Sequence, residues 1–432
     1  MVSRNVSSGE FGQISLLIGA GILFTTVFSR GIPSIIPKFV ASRTESSKTA
    51  GVVALCNDTM KFSFGISIAL AGIFLCSAAI TGDFFFIYLI EVVTASLLGT
   101  FLNLVQAALI TFGKTPVLFV ITSIQTLSTF FVSLLVIPKF GISGYFISII
   151  IGSCTSICLF LLFSKKYIGI NTKSTYRRVD LIVWRIRSRP FVYQGVANWA
   201  LTYPDKLLIG GVLGASILGS YQVALSIAGI VALIIEGISA YWSPRYISLS
   251  IRNVSALNKY AVFLAGIAFS FGAIAVINLS TISHFLAPDY DVLRPVATIV
   301  IGGMVPRAFY FIFSVKLNDL HKNIQIFYAT VIGSVAALLI AIFMVKLCGP
   351  IGVASALAFG YLIQASLSII FVNRAKITAN ILILLSSTFV YGCFIAILSL
   401  IQFKSWSLWI SLLLGMLAAV LIYRLFKSTE VT

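Results

Sequence analysis

Two stretches of this sequence, about 208 residues apart, share one pattern of turn residues and apolar helices. The matching positions are Gly9-Glu10-Phe11 with Gly219-Ser220-Tyr221, Pro37-Lys38-Phe39 with Pro244-Arg245-Tyr246, and Gly141-Ile142-Ser143-Gly144 with Gly349-Pro350-Ile351-Gly352. The offsets are 210, 207 and 208 residues. A repeat of this length, running in one direction, predicts two similar helical bundles, the usual plan of an alternating-access carrier with its pathway between the halves.

The apolar content indicates that these bundles lie in a membrane. The chain is 59% apolar and 10% charged, with a mean hydropathy of +1.06, whereas about a quarter of the residues in a soluble domain are charged. A helix needs about 20 apolar residues to cross a bilayer. By that measure the sequence predicts thirteen spans, near residues 11–29, 62–81, 84–110, 116–137, 142–163, 191–213, 215–242, 257–282, 295–315, 324–345, 351–372, 381–401 and 406–426.

The chain has a net charge of +18. Its basic residues are divided unequally between the two sides of the membrane, which argues against a nucleic-acid partner. With the basic segment 165–190 placed in the cytoplasm, twenty-three of the 30 basic residues fall on the cytoplasmic side. Five face outward, namely Arg4, Lys139, Arg294, Lys346 and Lys404. This asymmetry obeys the positive-inside rule and predicts a periplasmic amino terminus and a cytoplasmic carboxyl terminus. The six cysteines lack metal-ligand spacing, so no metal site is expected.

The repeat also divides the chain into predicted domains. We expect an N-terminal bundle over 1–164, a basic cytoplasmic linker over 165–190, a C-terminal bundle over 191–372 and an additional helix pair over 373–432. The duplicated pattern pairs span 215–242, the second helix after the linker, with span 11–29, the first helix of the chain. The first helix of the front half is therefore expected to be missing, so that either the true start lies upstream or the protein works with an incomplete front bundle.

Three ordered motifs carry a family resemblance that covers nearly the whole chain. They are Gly9-Glu10-Phe11-Gly12 leading to Gly31-Ile32-Pro33, the segment Ile137-Pro138-Lys139-Phe140-Gly141-Ile142, and Asp205-Lys206-Leu207-Leu208-Ile209-Gly210 followed by Gly219-Ser220-Tyr221. In these the sequence resembles the Wzx-type O-antigen flippases, polysaccharide transporters of the multidrug/oligosaccharidyl-lipid/polysaccharide exporter (MOP) superfamily.

The resemblance implies an all-α polytopic fold, with two pseudo-repeated bundles around a central cavity. It implies transfer of undecaprenyl-pyrophosphate-linked repeat units from the cytoplasmic to the periplasmic leaflet of the bacterial inner membrane, for O-antigen and lipopolysaccharide synthesis. The expected partners are the lipid-linked oligosaccharide, membrane lipids, a polysaccharide polymerase and a chain-length regulator. No cofactor is expected beyond a proton or Na⁺ gradient.

Five charged residues inside the spans are the first functional candidates: Glu91, Asp205, Lys206, Glu236 and Arg307. A charge at mid-bilayer costs about 2.5–3.5 kcal/mol, so it normally faces water or a partner. Arg307 lies about 17 Å into its helix, near the middle of the bilayer. It either contacts substrate in a wet lumen or forms a structural ion pair between helices.

Polar residues around Pro204 form a second group of candidates. Proline removes a backbone donor and predicts a kink that frees carbonyl groups. Before any kink, Gln194, Asn198 and Asp205 share a sector of about 40° on the helix, and Tyr203 is a further candidate lining residue. This stripe either lines water or makes helix-helix hydrogen bonds at a packed interface.

The cations and the carboxylates among these residues suggest two different functions. The cations Arg307 and Lys206 would attract substrate phosphates, and the carboxylates Asp205, Glu91 and Glu236 would carry the coupling ion. Glu236 could instead be an interfacial residue drawn toward water by Arg245.

Enzyme and pump functions are disfavoured by what the sequence lacks. It has no phosphate-binding G-x-x-x-x-G-K-[ST] loop, no large outer loop, and only His284 and His321 as histidines. A MATE-like cation-coupled drug exporter is the main competing function, and a flippase for another polyprenyl-linked glycan, such as capsule or exopolysaccharide, is the other.

Overall fold

The computed structural model describes residues 7–41, 45–83, 85–167, 178–249, 254–279, 293–320 and 322–373, and no strand occurs within them. The helices there are α1 (Ser8–Phe28), α2 (Ile32–Ala41), α3 (Glu45–Thr81), α4 (Phe85–Thr111), α5 (Thr115–Tyr167), α6 (Arg178–Thr202), α7 (Pro204–Val212), α8 (Ala215–Leu249), α9 (Val254–Ile277), α10 (Leu293–Gly302), α11 (Met304–Asp319) and α12 (Asn323–Asn373). The protein is all-α, as the sequence predicted.

Seven helical stretches in these ranges are long and apolar enough to cross a membrane. They are Ser8–Phe28, Thr49–Thr81, Phe85–Thr111, Thr115–Leu162, Ala215–Ser239, Arg294–Asn318 and Asn323–Asn373. The fourth and the last contain 48 and 51 residues, about twice the length that one crossing needs. The chain is thus a multi-pass membrane protein. The predicted spans near 381–401 and 406–426 lie outside the described residues, so the count of thirteen stays a prediction.

The two longest helices are kinked at glycines that the sequence repeat had paired. Gly141 in α5 has φ 53° and ψ −121°, and Gly349 in α12 has φ 58° and ψ −138°. Side chains with a Cβ rarely adopt this conformation, so glycine is required at both places. The two kinks lie 208 residues apart, which confirms the repeat at the level of backbone geometry.

Close contacts next to each kink repeat with the same offset. A Cβ on Gly144 would lie 2.7 Å from the Val136 carbonyl oxygen, and one on Gly352 would lie 2.6 Å from the Met344 carbonyl oxygen. Because no Cβ fits at either position, the two arms of each kinked helix approach backbone to backbone.

Two breaks in the helices distinguish the halves. The α4 helix is continuous, whereas its counterpart 208 residues later is divided at Gly303 into α10 and α11. Conversely, α1 and α2 are separated by a turn in which Arg30 and Gly31 have φ of 50° and 68°, whereas the paired helix α8 runs unbroken through 35 residues. The halves therefore share the glycine kinks but differ in these two breaks.

The described residues from 7 to 199 form one compact unit. In it α1 packs against α4 and α5, around a core that includes Ile14, Leu17 and Val92. The α6 helix belongs to this unit as far as Trp199. The Trp199 indole donates to the Gly19 carbonyl over 2.7 Å, and the ring of Trp184 contacts Phe39 edge-on at 5.1 Å. Residues 178–190 of the predicted linker are helical within α6, and residues 168–177 lie outside the described part.

The described residues from 200 to 373 form the second unit. Here α7 packs against α8 and α12, and α11 packs against α8, α9 and α12. The helix expected over 191–213 is broken at Tyr203, where α6 ends and α7 begins with Pro204. This is the kink that the proline predicted. The expected absence of a first helix ahead of α1 stays a prediction.

Candidate functional site

Asp205 is a buried carboxylate at the start of α7. It is 6% exposed and follows Pro204, which occupies the first helical position. Its Oδ2 accepts a 2.7 Å hydrogen bond from the Tyr221 hydroxyl on α8, and its Oδ1 accepts one of 2.8 Å from the Lys206 backbone N–H. A carboxylate at a helix N-terminus is further stabilised by the helix dipole. The fold therefore supplies a prepared place for this acidic group.

Lys206 is buried beside it and is 7% exposed. Its Nζ lies 4.1 Å from the centroid of the Tyr203 ring, a cation-π contact. Among the residues that the structure describes, no carboxylate oxygen lies within 4.0 Å of this ammonium. The adjacent Asp205 and Lys206 therefore form no direct ion pair.

A narrow cleft reaches Asp205 inside the C-terminal unit. Its lining comes from the end of α6, from α7 and from α12, and comprises Ala200, Leu201, Pro204, Asp205, Ala337, Leu338, Ala341, Val353 and Leu357. Asp205 is the charged residue among them. The cleft is otherwise apolar, so it suits an ion or a small polar group at Asp205 better than a sugar.

Arg307 on α11 is held by two polar partners. Its Nη2 donates to Glu236 Oε1 on α8 over 2.6 Å, and its Nη1 donates to the Tyr361 hydroxyl on α12 over 3.2 Å. The Arg307 and Glu236 side chains are 22% and 40% exposed. The interhelical ion pair that the sequence left open is therefore present. Arginine has five N–H donors, so the guanidinium can still contact an anion from its exposed side.

The two groups of residues are neighbours in the C-terminal unit. Tyr361 lies within electrostatic range of both Asp205 and Arg307, and Tyr221 lies within range of Tyr361. Four of the predicted site residues, Asp205, Lys206, Glu236 and Arg307, are thus brought into one polar region of one helical unit. We call this region the C-unit polar cluster.

A second polar layer lies on α11 and α12. The hydroxyls of Tyr310 and Thr330 are 3.1 Å apart, and Gln364 Nε2 donates to Thr330 Oγ1 over 3.0 Å. Gln364 is 2% exposed and lies one helical turn after Tyr361. These contacts fix the face of α12 that carries Tyr361 toward Arg307.

The sequence analysis missed the neutral members of the C-unit polar cluster, Tyr221 and Tyr361, as well as Gln364. In a sequence, tyrosines within apolar spans resemble ordinary core residues, whereas charged residues in such spans stand out. The spacing of Tyr361 and Gln364 does indicate a polar face, because residues three apart lie on the same side of a helix.

Three predicted candidates lie elsewhere, in the N-terminal unit. Glu91 on α4 is half-buried, and its Oε2 is buried with no hydrogen-bond partner among the described residues. On α6, Gln194 is half-buried and Asn198 is exposed. The prediction that Gln194, Asn198 and Asp205 share one sector assumed an unbroken helix. The break at Tyr203 places Gln194 and Asn198 on α6 and Asp205 on α7, so the three residues do not share one helical face. Within the described ranges, no group of three or more metal-ligating side chains occurs.

Removing the Tyr221 hydroxyl tests whether Asp205 depends on its partner. We expect Tyr221→Phe to lower the free energy of unfolding by about 1.5–3 kcal/mol, since a buried carboxylate loses a donor. Thermal unfolding of the purified protein in detergent measures the effect. Tyr328→Phe is the control, because Tyr328 is 50% exposed. Equal melting of the two variants would contradict the assigned bond.

Several solved structures share this fold. The lipid II flippase MurJ, in an inward closed conformation, aligns with a TM-score of 0.69 and 16% identity over 99% of this chain and 94% of its own. A multidrug resistance MATE family transporter of the MOP superfamily aligns in its inward-facing conformation with a TM-score of 0.67 and 14% identity, covering 87% of this chain and 92% of that one. An outward-facing MATE conformation gives a TM-score of 0.62 and 15% identity, with 85% of each chain covered.

The chain shares the fold of the lipid II flippase MurJ and of the MATE transporters. No family model matches the sequence, and no curated protein matches it either. The TM-scores of 0.62–0.69 establish shared architecture, whereas identities of 14–16% do not identify a substrate.

Proposed function

We propose that this protein moves a polyprenyl-pyrophosphate-linked oligosaccharide, of the O-antigen type, from the cytoplasmic to the periplasmic leaflet of the bacterial inner membrane. The observation that carries the proposal is the pair of cations, Lys206 and Arg307, inside one unit of a MOP-type fold. Burying cations in a membrane-spanning bundle is costly. An anionic headgroup is the substrate chemistry that would use them.

The comparisons also favour a lipid substrate over a drug. The likeness to the lipid II flippase covers 99% of this chain, whereas the two MATE conformations described above cover 87% and 85% of it. The added coverage supports a flippase-type arrangement, although the TM-scores of 0.69 and 0.67 are similar.

Arg307 would act by exchanging partners. Without substrate its guanidinium pairs with Glu236. A phosphate can accept two parallel N–H bonds from arginine, so an arriving pyrophosphate would compete with the Glu236 carboxylate. Glu236, which is 40% exposed, would then be released and be free to take up a proton or Na⁺. Substrate binding and ion binding would thereby be linked through one arginine.

Asp205 and Glu91 are the other proposed coupling sites. Asp205 can be reached through the narrow apolar cleft, which suits a proton or Na⁺. Glu91 has an unpartnered buried oxygen, and a carboxylate in that condition favours protonation or cation binding. Lys206 and Tyr203 would contact the polar headgroup as it passes, and Gln194 and Asn198 stay predicted lining residues.

The proposal is tested by transport of defined substrates in proteoliposomes. We expect the purified protein to move a fluorescent polyprenyl-pyrophosphate-linked oligosaccharide across the bilayer faster than protein-free liposomes do, with a rate that depends on an imposed proton or Na⁺ gradient. Uptake of a fluorescent organic cation is measured in parallel. Cation transport with no movement of the glycolipid would instead establish the MATE-like drug exporter.

A deletion strain gives the matching test in cells. Loss of surface polysaccharide with accumulation of lipid-linked repeat units supports the flippase, and the affected glycan distinguishes O-antigen from capsule or exopolysaccharide. Altered drug sensitivity with normal surface glycan would contradict the proposal.

A further inference from the structure

Two arginines approach one carboxylate in the N-terminal unit, which does not contain the C-unit polar cluster, and a third arginine lies one helical turn along α6. On α6, Arg185 Nε donates to Asp58 Oδ2 over 2.6 Å, and Arg185 Nη2 contacts Asp58 Oδ1. Arg30 Nη1 lies 3.8 Å from the same Oδ2. We call Arg30, Arg185 and Arg189, together with Asp58, the arginine cluster.

The cluster carries more positive charge than Asp58 can balance. Arg189 follows Arg185 by four residues and so lies on the same face of α6. Burial lowers the pKa of Arg30, and the positive charge of Arg185 lowers it further. The Asp58 carboxylate raises this pKa, whereas the positive charge of Arg189 lowers it. Arg189 therefore lies close enough to Arg30 to repel it, and the cluster of three arginines and one aspartate carries a net positive charge.

Backbone geometry fixes Arg30 in this position. It has φ 50° in the turn between α1 and α2, a left-handed conformation that is uncommon for a residue with a Cβ. The next residue, Gly31, faces the Ser188 carbonyl so closely that a Cβ would lie 2.7 Å from its oxygen. The Arg30 guanidinium is stacked 3.8 Å from the centroid of the Phe62 ring. The fold thus holds like charges together at a strained turn.

The cluster is open at the surface and is bordered by apolar side chains. The side chains of Arg30, Arg185 and Asp58 are 28%, 35% and 20% exposed, and Arg189 is exposed. Nearby on α3, Phe64 and Ile68 are 57% and 58% exposed, and on α6, Ile182 and Ile186 are 48% and 53% exposed. Acyl chains would cover such side chains in a bilayer.

We infer that the arginine cluster is a binding site for the phosphate headgroup of an anionic phospholipid in the cytoplasmic leaflet. Guanidinium groups bind phosphate oxygens in pairs, and basic clusters at the membrane surface attract anionic lipids. The neighbouring apolar side chains would hold the acyl chains. The positive-inside rule predicts that Asp58 on α3, and Arg185 and Arg189 on α6, lie at the inner leaflet. The inference does not depend on the identity of the transported substrate.

The experiment measures lipid binding to the delipidated full chain in detergent by native mass spectrometry. The probes are a phosphatidylglycerol, a phosphatidylcholine of equal chain length and a polyprenyl monophosphate. We expect phosphatidylglycerol to bind in preference to phosphatidylcholine, and Arg189→Gln to weaken its binding about fivefold. The control is Arg187→Gln, a change of the same charge on the same helix at a residue whose guanidinium lies 5.0 Å from the Trp184 ring. It is expected to leave binding unchanged.

Asp58→Asn separates a lipid site from an ion pair that only fixes α6. If the cluster binds an anion, removing the carboxylate leaves phosphatidylglycerol binding equal or stronger. Loss of that binding in Asp58→Asn, equal binding of the two phospholipids, or equal behaviour of Arg189→Gln and Arg187→Gln would each overturn the inference. Binding of the polyprenyl phosphate without binding of phosphatidylglycerol would also overturn it, by making the cluster a contact for the transported lipid.

Discussion

Replacing Arg307 with glutamine is expected to reduce glycolipid translocation by roughly 10- to 100-fold at equal expression. The estimate follows from losing a charge-assisted hydrogen bond worth about 1.5–3 kcal/mol, where each 1.4 kcal/mol is a factor of ten. Glutamine keeps a polar side chain but lacks the charge and the paired donors that bind phosphate. The measurement is the translocation rate in proteoliposomes, together with restoration of surface polysaccharide in a deletion strain.

Glu236 provides the control that separates substrate binding from structural pairing. If Arg307 only neutralises Glu236, then Glu236→Gln should impair transport as strongly as Arg307→Gln, and the double variant should recover much of the activity. If Arg307 binds the pyrophosphate, the double variant still folds, because no unpaired charge remains. It stays inactive, because the guanidinium that binds phosphate is gone. Recovery of transport in the double variant, or full rescue by Arg307→Gln alone, would remove Arg307 from the mechanism.

Features that depend on local sequence were predictable. The membrane class followed from composition, and the two similar halves followed from turn residues that recur at a fixed spacing. Gly141 and Gly349 were paired from sequence alone, and they adopt nearly the same left-handed φ of 53° and 58°. The Pro204 break was predictable for a similar reason, since the proline ring and its missing N–H act within one turn of helix.

Pairing between helices was not predictable, because it depends on how the helices rotate about their axes. The sequence indicated Glu236 and Arg307 separately and offered Arg245 as a partner for Glu236. The structure pairs Glu236 with Arg307, 71 residues away. Asp205 likewise depends on Tyr221, a residue noticed only as part of a repeat signature. A tyrosine in an apolar span acquires its role only when a carboxylate on the neighbouring helix faces it.

The largest stability effect is expected from adding one methyl group next to each kink. Gly352→Ala would place a Cβ 2.6 Å from the Met344 carbonyl oxygen, and Gly144→Ala would place one 2.7 Å from the Val136 carbonyl oxygen. Backbone atoms cannot rotate away as a side chain can, so the two arms of the helix must separate. We expect each substitution to lower the free energy of unfolding by about 3 kcal/mol, the upper end of the cost of overpacking. Unfolding in detergent by heat or by added dodecyl sulfate measures the change.

Gly211→Ala is the matched control, because Gly211 is an exposed helical glycine with open space around the added methyl. There alanine should be neutral or stabilise the protein by up to about 1 kcal/mol, from its greater helix propensity. Gly349→Ala isolates the backbone contribution, since its Cβ meets nothing within 4 Å but its φ is +58°. If the two kinks are truly equivalent, Gly144→Ala and Gly352→Ala should cost similar amounts, and in combination the costs should add, because the residues share no partner. A large effect at one kink and none at the other would show that the repeat preserves the shape of the backbone without preserving its packing.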